Sequence, residues 1–222
     1  TSMAAAPRIV LLHATQVAVD PVQAAFKEFW PEASLVNLLD DSLSPDRARD
    51  YDLTPPMTER FVAFGRYAYS VGADGILVTC SAFGPAIEQM AAELPVPVLK
   101  PNEAMFHAAV ARGKNIGMLA TFAPAVVTME AEFADYVAQV KSPATLTTVT
   151  IEPAMTALRA GDASTHNRLL AERAPELAGC DTIMLAHFST SRALQAVQER
   201  VTLPVLSAPG AAVKRMRELV KR

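Results

Sequence analysis

The sequence predicts an α/β fold made of two similar halves, each built on a parallel sheet. Short apolar runs alternate with longer segments of helical character along all 222 residues, a pattern typical of parallel sheets. The run at 72–80 aligns without gaps with the run at 179–187. The offset that takes position 80 to position 187 also aligns Ile9 with Ile116 and Leu99 with Leu206. One offset that serves three separate runs indicates an internal repeat.

The first half reads as four strands, at 9–12, 34–39, 96–99 and in the run that ends at Cys80. Asp20 and Pro21 suit the start of a helix, which the pattern predicts over 20–30. Further helices are expected at 57–71, 85–93 and 102–112, and Gly113 ends the last of them. The polar stretch 42–56 reads as a long loop, either a lid over a ligand site or a plain surface loop.

The second half repeats this order, with strands at 115–120, 146–151, 181–186 and 204–206. Alternating threonines in 146–151 predict a strand that is half exposed or at an edge of its sheet. Helices are expected at 124–140, 153–178 with a break at Gly161, 192–200 and 211–221. We therefore expect a first lobe over 1–100, completed by 208–222, and a second lobe over 101–207.

Composition and charge narrow the classes of function. A net charge of −3 gives no electrostatic case for nucleic acid, and no apolar run is long enough for a membrane span. The two cysteines occupy non-equivalent places in the repeat, which argues against a disulfide and favours a reducing, cytoplasmic location. We find no Gly-rich dinucleotide or phosphate-binding motif and no zinc-ligand spacing, so no cofactor and no metal are predicted. Thr1 and Ser2, which precede Met3, resemble an expression scar.

Cys80 is the strongest candidate for a catalytic residue. It ends a buried strand, stands between Thr79 and Ser81, and precedes a predicted helix. The free N–H groups and the dipole of a helix N-terminus favour both a thiolate and a bound carboxylate. Cys180 precedes its strand instead, and we expect it to serve packing.

His187 is the equivalent of Cys80 in the second half, which makes it the second catalytic candidate. If the lobes face each other, both side chains would point into one cleft, where an imidazole could give or take a proton. His13 follows the first strand and could line that cleft. His107 lacks such support, and His166 lies in a polar helix, where we expect it at the surface.

Hydroxyl side chains cluster at or just after the predicted carboxyl ends of strands. Each one alone is more often a helix cap, but their convergence by symmetry makes a carboxylate-binding site plausible. The predicted substrate-binding residues are Thr15, Ser81, Thr121, Ser189 and Thr190.

The motifs resemble the aspartate/glutamate/hydantoin racemase superfamily, which includes maleate isomerases and arylmalonate decarboxylases. The resemblance covers nearly the whole chain and runs through GADGILVTCS at 72–81, IGMLAT at 116–121 and DTIMLAH at 181–187. It implies two Rossmann-like lobes related by a pseudo-twofold axis, with the active site between them. It also implies cofactor-independent chemistry on a small carboxylic acid, and it allows for a homo-oligomer.

The sequence departs from the family pattern at the second catalytic position. Racemases of this superfamily bring one cysteine from each lobe, whereas this chain has Cys80 and His187. Arylmalonate decarboxylases keep only the second cysteine, so this chain carries the opposite half of the pair.

We therefore expect a racemase or isomerase that transfers a proton at carbon, with Cys80 and His187 as facing acid/base groups. One alternative is a decarboxylase of a malonate-like acid, with Cys80 as its sole proton donor. Two others are a small-acid-binding protein without catalysis and a hydrolase with Cys80 as nucleophile.

Overall fold

The computed structural model describes residues 5–221, apart from the side chain of Pro124, so the expected expression scar lies outside the described residues. Strands and helices alternate along the chain, as the sequence predicts. The strands are β1 (Arg8–His13), β2 (Ser34–Leu39), β3 (Gly75–Val78), β4 (Val98–Leu99), β5 (Asn115–Ala120), β6 (Thr145–Thr150), β7 (Thr182–Leu185) and β8 (Val205–Ser207). The α-helices are α1 (Val19–Phe29), α2 (Leu43–Arg47), α3 (Pro55–Ser70), α4 (Gly84–Glu93), α5 (Glu103–Val110), α6 (Ala123–Gln139), α7 (Glu152–Arg159), α8 (Ala163–Arg173), α9 (Leu194–Gln198) and α10 (Ala208–Val220).

The strands form two four-stranded sheets, each parallel throughout. The first has the order β2-β1-β3-β4 and the second has the order β6-β5-β7-β8. The central strands β1, β3, β5 and β7 are apolar and buried, because helices cover a parallel sheet on both faces. The threonine-rich β6 is an edge strand, as its alternation predicts. The two sheets confirm the α/β class and are consistent with two Rossmann-like lobes.

The internal repeat is visible in the bounds of the strands. β1 and β5 begin at positions related by the offset of the sequence repeat and have the same length, and so do β3 and β7. Their pairing repeats as well, because Ile9 pairs with Gly75 as Ile116 pairs with Thr182. β2 and β6 are separated by slightly more than this offset, since the second repeat has a longer connection before its edge strand. The repeat therefore fixes the central strands more strictly than the edges.

The chain divides into two compact units. One comprises the residues up to Pro101 together with those from Ala212 onward, and the other is Asn102–Ala211. Helix α10 thus begins in the second unit and continues in the first, where Met216 is buried close to Gly75. Each unit has its own apolar core around its central strands.

Two local expectations differ from the structure. The segment 42–56 is not one continuous loop, because α2 forms within it and the Leu43 side chain is fully buried. His166 is also fully buried, so its expected surface position is wrong. The reason is helical spacing: His166 precedes the buried Leu170 by one helical turn, which places both on the inner face of α8. Among residues 5–221, we find no helix with the length and apolar content for a membrane span.

Candidate active site

Cys80 lies just beyond the carboxyl end of β3, in the turn that leads into α4. The hydrogen-bond ladder extends one residue past the strand, since the Thr79 N–H donates to the Leu12 carbonyl at 3.0 Å. Cys80 follows that last fixed point, is partly buried and packs against the core of the first unit. It is present as a thiol rather than a disulfide.

The first unit also brings two predicted hydroxyl residues to this edge of the sheet. Ser81 follows Cys80, and Thr15 follows β1, the strand beside β3. Both are partly buried, and the Thr15 hydroxyl makes no capping hydrogen bond to the short 3₁₀ helix that begins at Gln16. Helix capping therefore does not account for Thr15.

His187 follows β7 with a backbone φ of +69°. This left-handed conformation is uncommon for a residue with a side chain and often marks a functional turn. The Nε2 atom of His187 is buried and has no hydrogen-bond partner among the described residues. Burial lowers the pKa of His187 to about 4, so the ring is neutral near pH 7.

The other predicted residues of the second unit have different surroundings. Thr121 is buried at the end of β5, and its Oγ1 also lacks a partner among the described residues. Thr190 is fully buried, and its hydroxyl donates to the Ala186 carbonyl and, at 3.0 Å, to the His187 carbonyl. Thr190 therefore holds the His187 turn. Ser189 is buried beside it, at the start of a 3₁₀ helix.

Thr121 and His187 lie on neighbouring strands at the same edge of the second sheet. Leu119 pairs with Leu185, so each of the two residues lies two positions beyond that pair. A buried hydroxyl and a buried imidazole nitrogen without partners cost free energy in an empty protein. Each of these two groups can therefore still form a hydrogen bond at this edge of the sheet.

Sequence reasoning gave His13 only a weak role, and it missed Thr79. The His13 ring is buried at the end of β1, where its Nδ1 lies 2.8 Å from the Thr79 hydroxyl. Burial lowers the pKa of His13, which keeps the ring neutral, while its hydrogen bond with Asn37 opposes that shift. The sequence did offer a signal for this contact, because His13 and Thr79 are polar residues at the ends of two strands that a parallel sheet can place side by side.

Three further candidates lie away from the strand ends. His107 on α5 contacts the Tyr136 hydroxyl on α6 at 3.1 Å. Cys180 packs against the core of the second unit, and burial raises the pKa of its thiol. The His166 ring contacts Asn167, and burial together with the nearby Arg192 charge lowers its pKa. His107 and Cys180 do not belong to the edges that carry Cys80 and His187. His166 lies near Arg192, in the 3₁₀ helix that follows His187, and its Nε2 has no hydrogen-bond partner among the described residues.

A cavity of about 350 Å³ in the first unit lies at the opposite end of the sheet. It is lined by Pro7, Asp74 and Pro97, which precede their strands, and by residues near the end of α10. No predicted site residue lines it. Within the described residues, no cluster of three or more histidine, cysteine or acidic side chains has the geometry of a metal site.

Comparisons with known proteins place the chain in a family. A family model described as Asp/Glu/Hydantoin racemase matches residues 9–171. No curated protein sequence matches significantly. The structure is similar to allantoin racemase from Klebsiella pneumoniae, with a TM-score of 0.74 and 16% identity over 97% of this chain and 88% of that one.

Two further structures have the same fold. A glutamate racemase from Bacillus anthracis has a TM-score of 0.71 and 14% identity over 98% of this chain and 83% of that one. An arylmalonate decarboxylase has a TM-score of 0.69 and 16% identity over 96% of this chain and 92% of that one. Since the family model matches well over half of the sequence, this chain belongs to the Asp/Glu/hydantoin racemase family.

Proposed function

We propose that this chain is a cofactor-independent enzyme that transfers a proton at a carbon atom of a small carboxylic acid. The observation that carries this proposal is the equivalence of Cys80 and His187. Each follows the corresponding central strand of its own unit, so the two repeats present a thiol and an imidazole at the same structural position. A thiol and an imidazole are both competent acid/base groups near neutral pH.

The protonation state of His187 assigns the first base. With a pKa of about 4, its ring is neutral at pH 7, so in the resting enzyme it can accept a proton while Cys80 is the donor, and the reverse reaction uses the two groups in the opposite roles. In the proposed reaction, His187 removes the α-proton, and the electrons of the C–H bond form an enediolate. The Cys80 thiol then donates its proton to the other face of that carbon. Exchange of one proton with water restores the imidazole and the thiol.

The enediolate carries negative charge that must be stabilised by nearby donors. The hydroxyls of Thr15, Ser81 and Thr121 are candidates, together with the backbone N–H groups that follow the strand ends. We also propose that the Ser189 hydroxyl contacts the enediolate. Thr190 contributes by holding the His187 turn, since its hydroxyl already bonds to two carbonyl oxygens.

A decarboxylase is the second candidate, and the same pKa favours it. Loss of CO₂ from a malonate-like acid leaves the electrons of the broken C–C bond in an enediolate, so no base is required. One proton donor completes that reaction, and Cys80 suffices for it. A neutral His187 would then bind the substrate without taking part in proton transfer.

Deuterium exchange and CO₂ release distinguish the two reactions. We would incubate the protein in deuterated water with both enantiomers of aspartate, glutamate and allantoin, and separately with an arylmalonate. A racemase replaces the α-proton with deuterium and loses optical rotation, whereas a decarboxylase releases CO₂. A protein that does neither, yet melts at a higher temperature with one of these compounds, is a binding protein.

Substitutions test the roles of the two residues. Cys80→Ser should lower turnover by roughly 10²–10⁴-fold, the usual contribution of a general acid or base, because a serine hydroxyl is a far weaker acid. His187→Ala should abolish racemisation but spare decarboxylation, and His187→Cys should preserve or raise racemisation. Cys180→Ser is the matched control and should leave turnover unchanged. Unchanged turnover in Cys80→Ser would refute the mechanism.

A further inference from the structure

We propose that His13 is a positioning residue for Cys80, and that it acts by holding the Thr79 side chain where β3 ends. Its expected effect on turnover rests on the proposed function. Its expected effect on the reactivity of the thiol does not.

The contact between His13 and Thr79 joins the ends of two neighbouring strands. Leu12 pairs with Val78, so His13 and Thr79 each lie one residue beyond that pair. The Thr79 hydroxyl lies 2.8 Å from His13 Nδ1 and 3.2 Å from the Leu12 carbonyl oxygen. Both side chains are buried, with 1% of His13 and 8% of Thr79 exposed, so water does not compete for these bonds.

The far side of the His13 ring is bonded to Asn37, an exposed residue. Its Nε2 lies 2.8 Å from Asn37 Oδ1 on β2, and the Asn37 amide donates to Gln23 Oε1 at 2.8 Å. Because Asn37 presents its oxygen, Nε2 carries the hydrogen of the neutral ring, and Nδ1 accepts from the Thr79 hydroxyl, which shares its single proton with the more distant Leu12 carbonyl oxygen. The ring therefore cannot rotate without breaking a hydrogen bond on each side.

The second unit shows that the fold itself does not require this polar pair. The residues equivalent to His13 and Thr79 by the offset of the repeat are Ala120 and Ala186, and both are fully buried. The backbone bond is the same in both units, since the Ala186 N–H donates to the Leu119 carbonyl at 2.9 Å. Two alanines thus satisfy the packing at this place. Burying an imidazole and a hydroxyl instead costs desolvation, and only the unit that contains Cys80 carries them at this place.

The pair acts on Cys80 through the backbone. Thr79 is the last residue that the ladder fixes, and only two backbone torsions separate its Cα from that of Cys80. The Thr79 hydroxyl is held by His13 Nδ1 and by the Leu12 carbonyl oxygen, and a side chain fixed at its hydroxyl restrains the backbone that carries it. His13 therefore sets the direction in which the chain leaves β3 and presents the thiol.

The test is the rate at which iodoacetamide alkylates Cys80 as a function of pH, with mass spectrometry of the peptides separating Cys80 from Cys180. An asparagine Oδ1 can occupy the place of His Nδ1 and accept from the Thr79 hydroxyl, whereas a glutamine amide reaches the place of Nε2 and leaves that of Nδ1 empty. His13→Asn and Thr79→Ser therefore keep the contact, while His13→Gln and Thr79→Val remove it.

We expect His13→Gln and Thr79→Val each to change the alkylation rate of Cys80 by about twofold or more. The double variant should change this rate no further, because the two residues act through one contact. His13→Asn and Thr79→Ser should follow the wild type, and the Cys180 rate should stay constant throughout. The same ranking should hold for turnover.

Three outcomes would overturn the assignment: wild-type profiles in both disrupting variants, additive effects in the double variant, or equal losses in the conservative variants. If the His13 variants do not fold, the Thr79 pair decides, because identical profiles for Thr79→Val and Thr79→Ser refute it. If the wild type acts on no acid, the proposed function fails, while the alkylation series still decides the role of His13.

Discussion

The neutral state of His187 can be tested by lowering the pH. Burial lowers its pKa from the ordinary 6.5 to about 4, so at pH 7 only about one ring in a thousand carries a charge. The unfolded chain binds this proton more readily than the folded chain does. The stabilisation that results is fully present above about pH 6.5 and is lost as the pH falls towards 4. The difference between these two pKa values corresponds to about 3 kcal/mol of folding free energy.

Nuclear magnetic resonance measures the titration directly. The chain has four histidines, so the imidazole signals are few, and the signal that is absent from a His187→Gln variant belongs to His187. We expect its midpoint near pH 4 in the empty protein. A bound carboxylate should raise the midpoint, because an opposite charge favours the imidazolium.

Denaturant unfolding between about pH 7 and 4 provides the energetic check. His13 and His166 also have pKa values lowered by burial, so the wild type loses stability to acid at more than one site. The difference between wild type and His187→Gln isolates one residue, and the variant should lose about 3 kcal/mol less. A midpoint near the ordinary 6.5 together with equal acid sensitivity of both proteins would refute the reasoning and would restore the imidazolium as a proton donor.

Two further predictions concern the second unit. Thr121→Val removes a buried hydroxyl without a partner, so it should raise the free energy of unfolding by up to about 1 kcal/mol in urea while weakening substrate binding. Thr148→Val removes a similar hydroxyl from β6 and should stabilise without a loss of binding; equal losses of binding would argue against a ligand at Thr121. The free energy of unfolding of His187→Gly should be about 1 kcal/mol higher than that of His187→Ala, because glycine adopts a φ of +69° without strain. Equal stability of these two variants would mean that the turn relaxes.

Sequence reasoning predicted the central strands well because their signals are local and repeated. The buried runs that become β3 and β7 are short, apolar and bounded by polar or small residues, and the common offset supports each with the other. The predicted ends of these two strands lie within two residues of the observed ones, since β3 ends at Val78 and β7 ends at Leu185. That accuracy was enough to identify Cys80 and His187 as equivalent residues.

The features that the sequence did not predict depend on side-chain surroundings. The left-handed turn at His187 has no composition signal that marks it in advance. The unpartnered hydroxyl of Thr121 becomes visible only when every neighbour is placed. The burial of His166 was available from its spacing of one helical turn to Leu170, but the polar composition of α8 outweighed that signal.

The repeat also shows where the two units have diverged, and this bears on the direction of the reaction. Next to the thiol, the first unit has hydroxyls at Thr15 and Ser81, whereas the equivalent residues beside His187 are Phe122 and Phe188. Phe188 is buried and can help to desolvate the imidazole, whereas Phe122 is 39% exposed and Thr121 keeps a hydroxyl at this edge. Symmetric racemisation needs both groups to serve as donor and acceptor in turn. An imidazolium with a pKa of about 4 is a much stronger acid than an ordinary thiol, so under the proposed function we expect the enzyme to protonate one face of its enediolate much faster than the other.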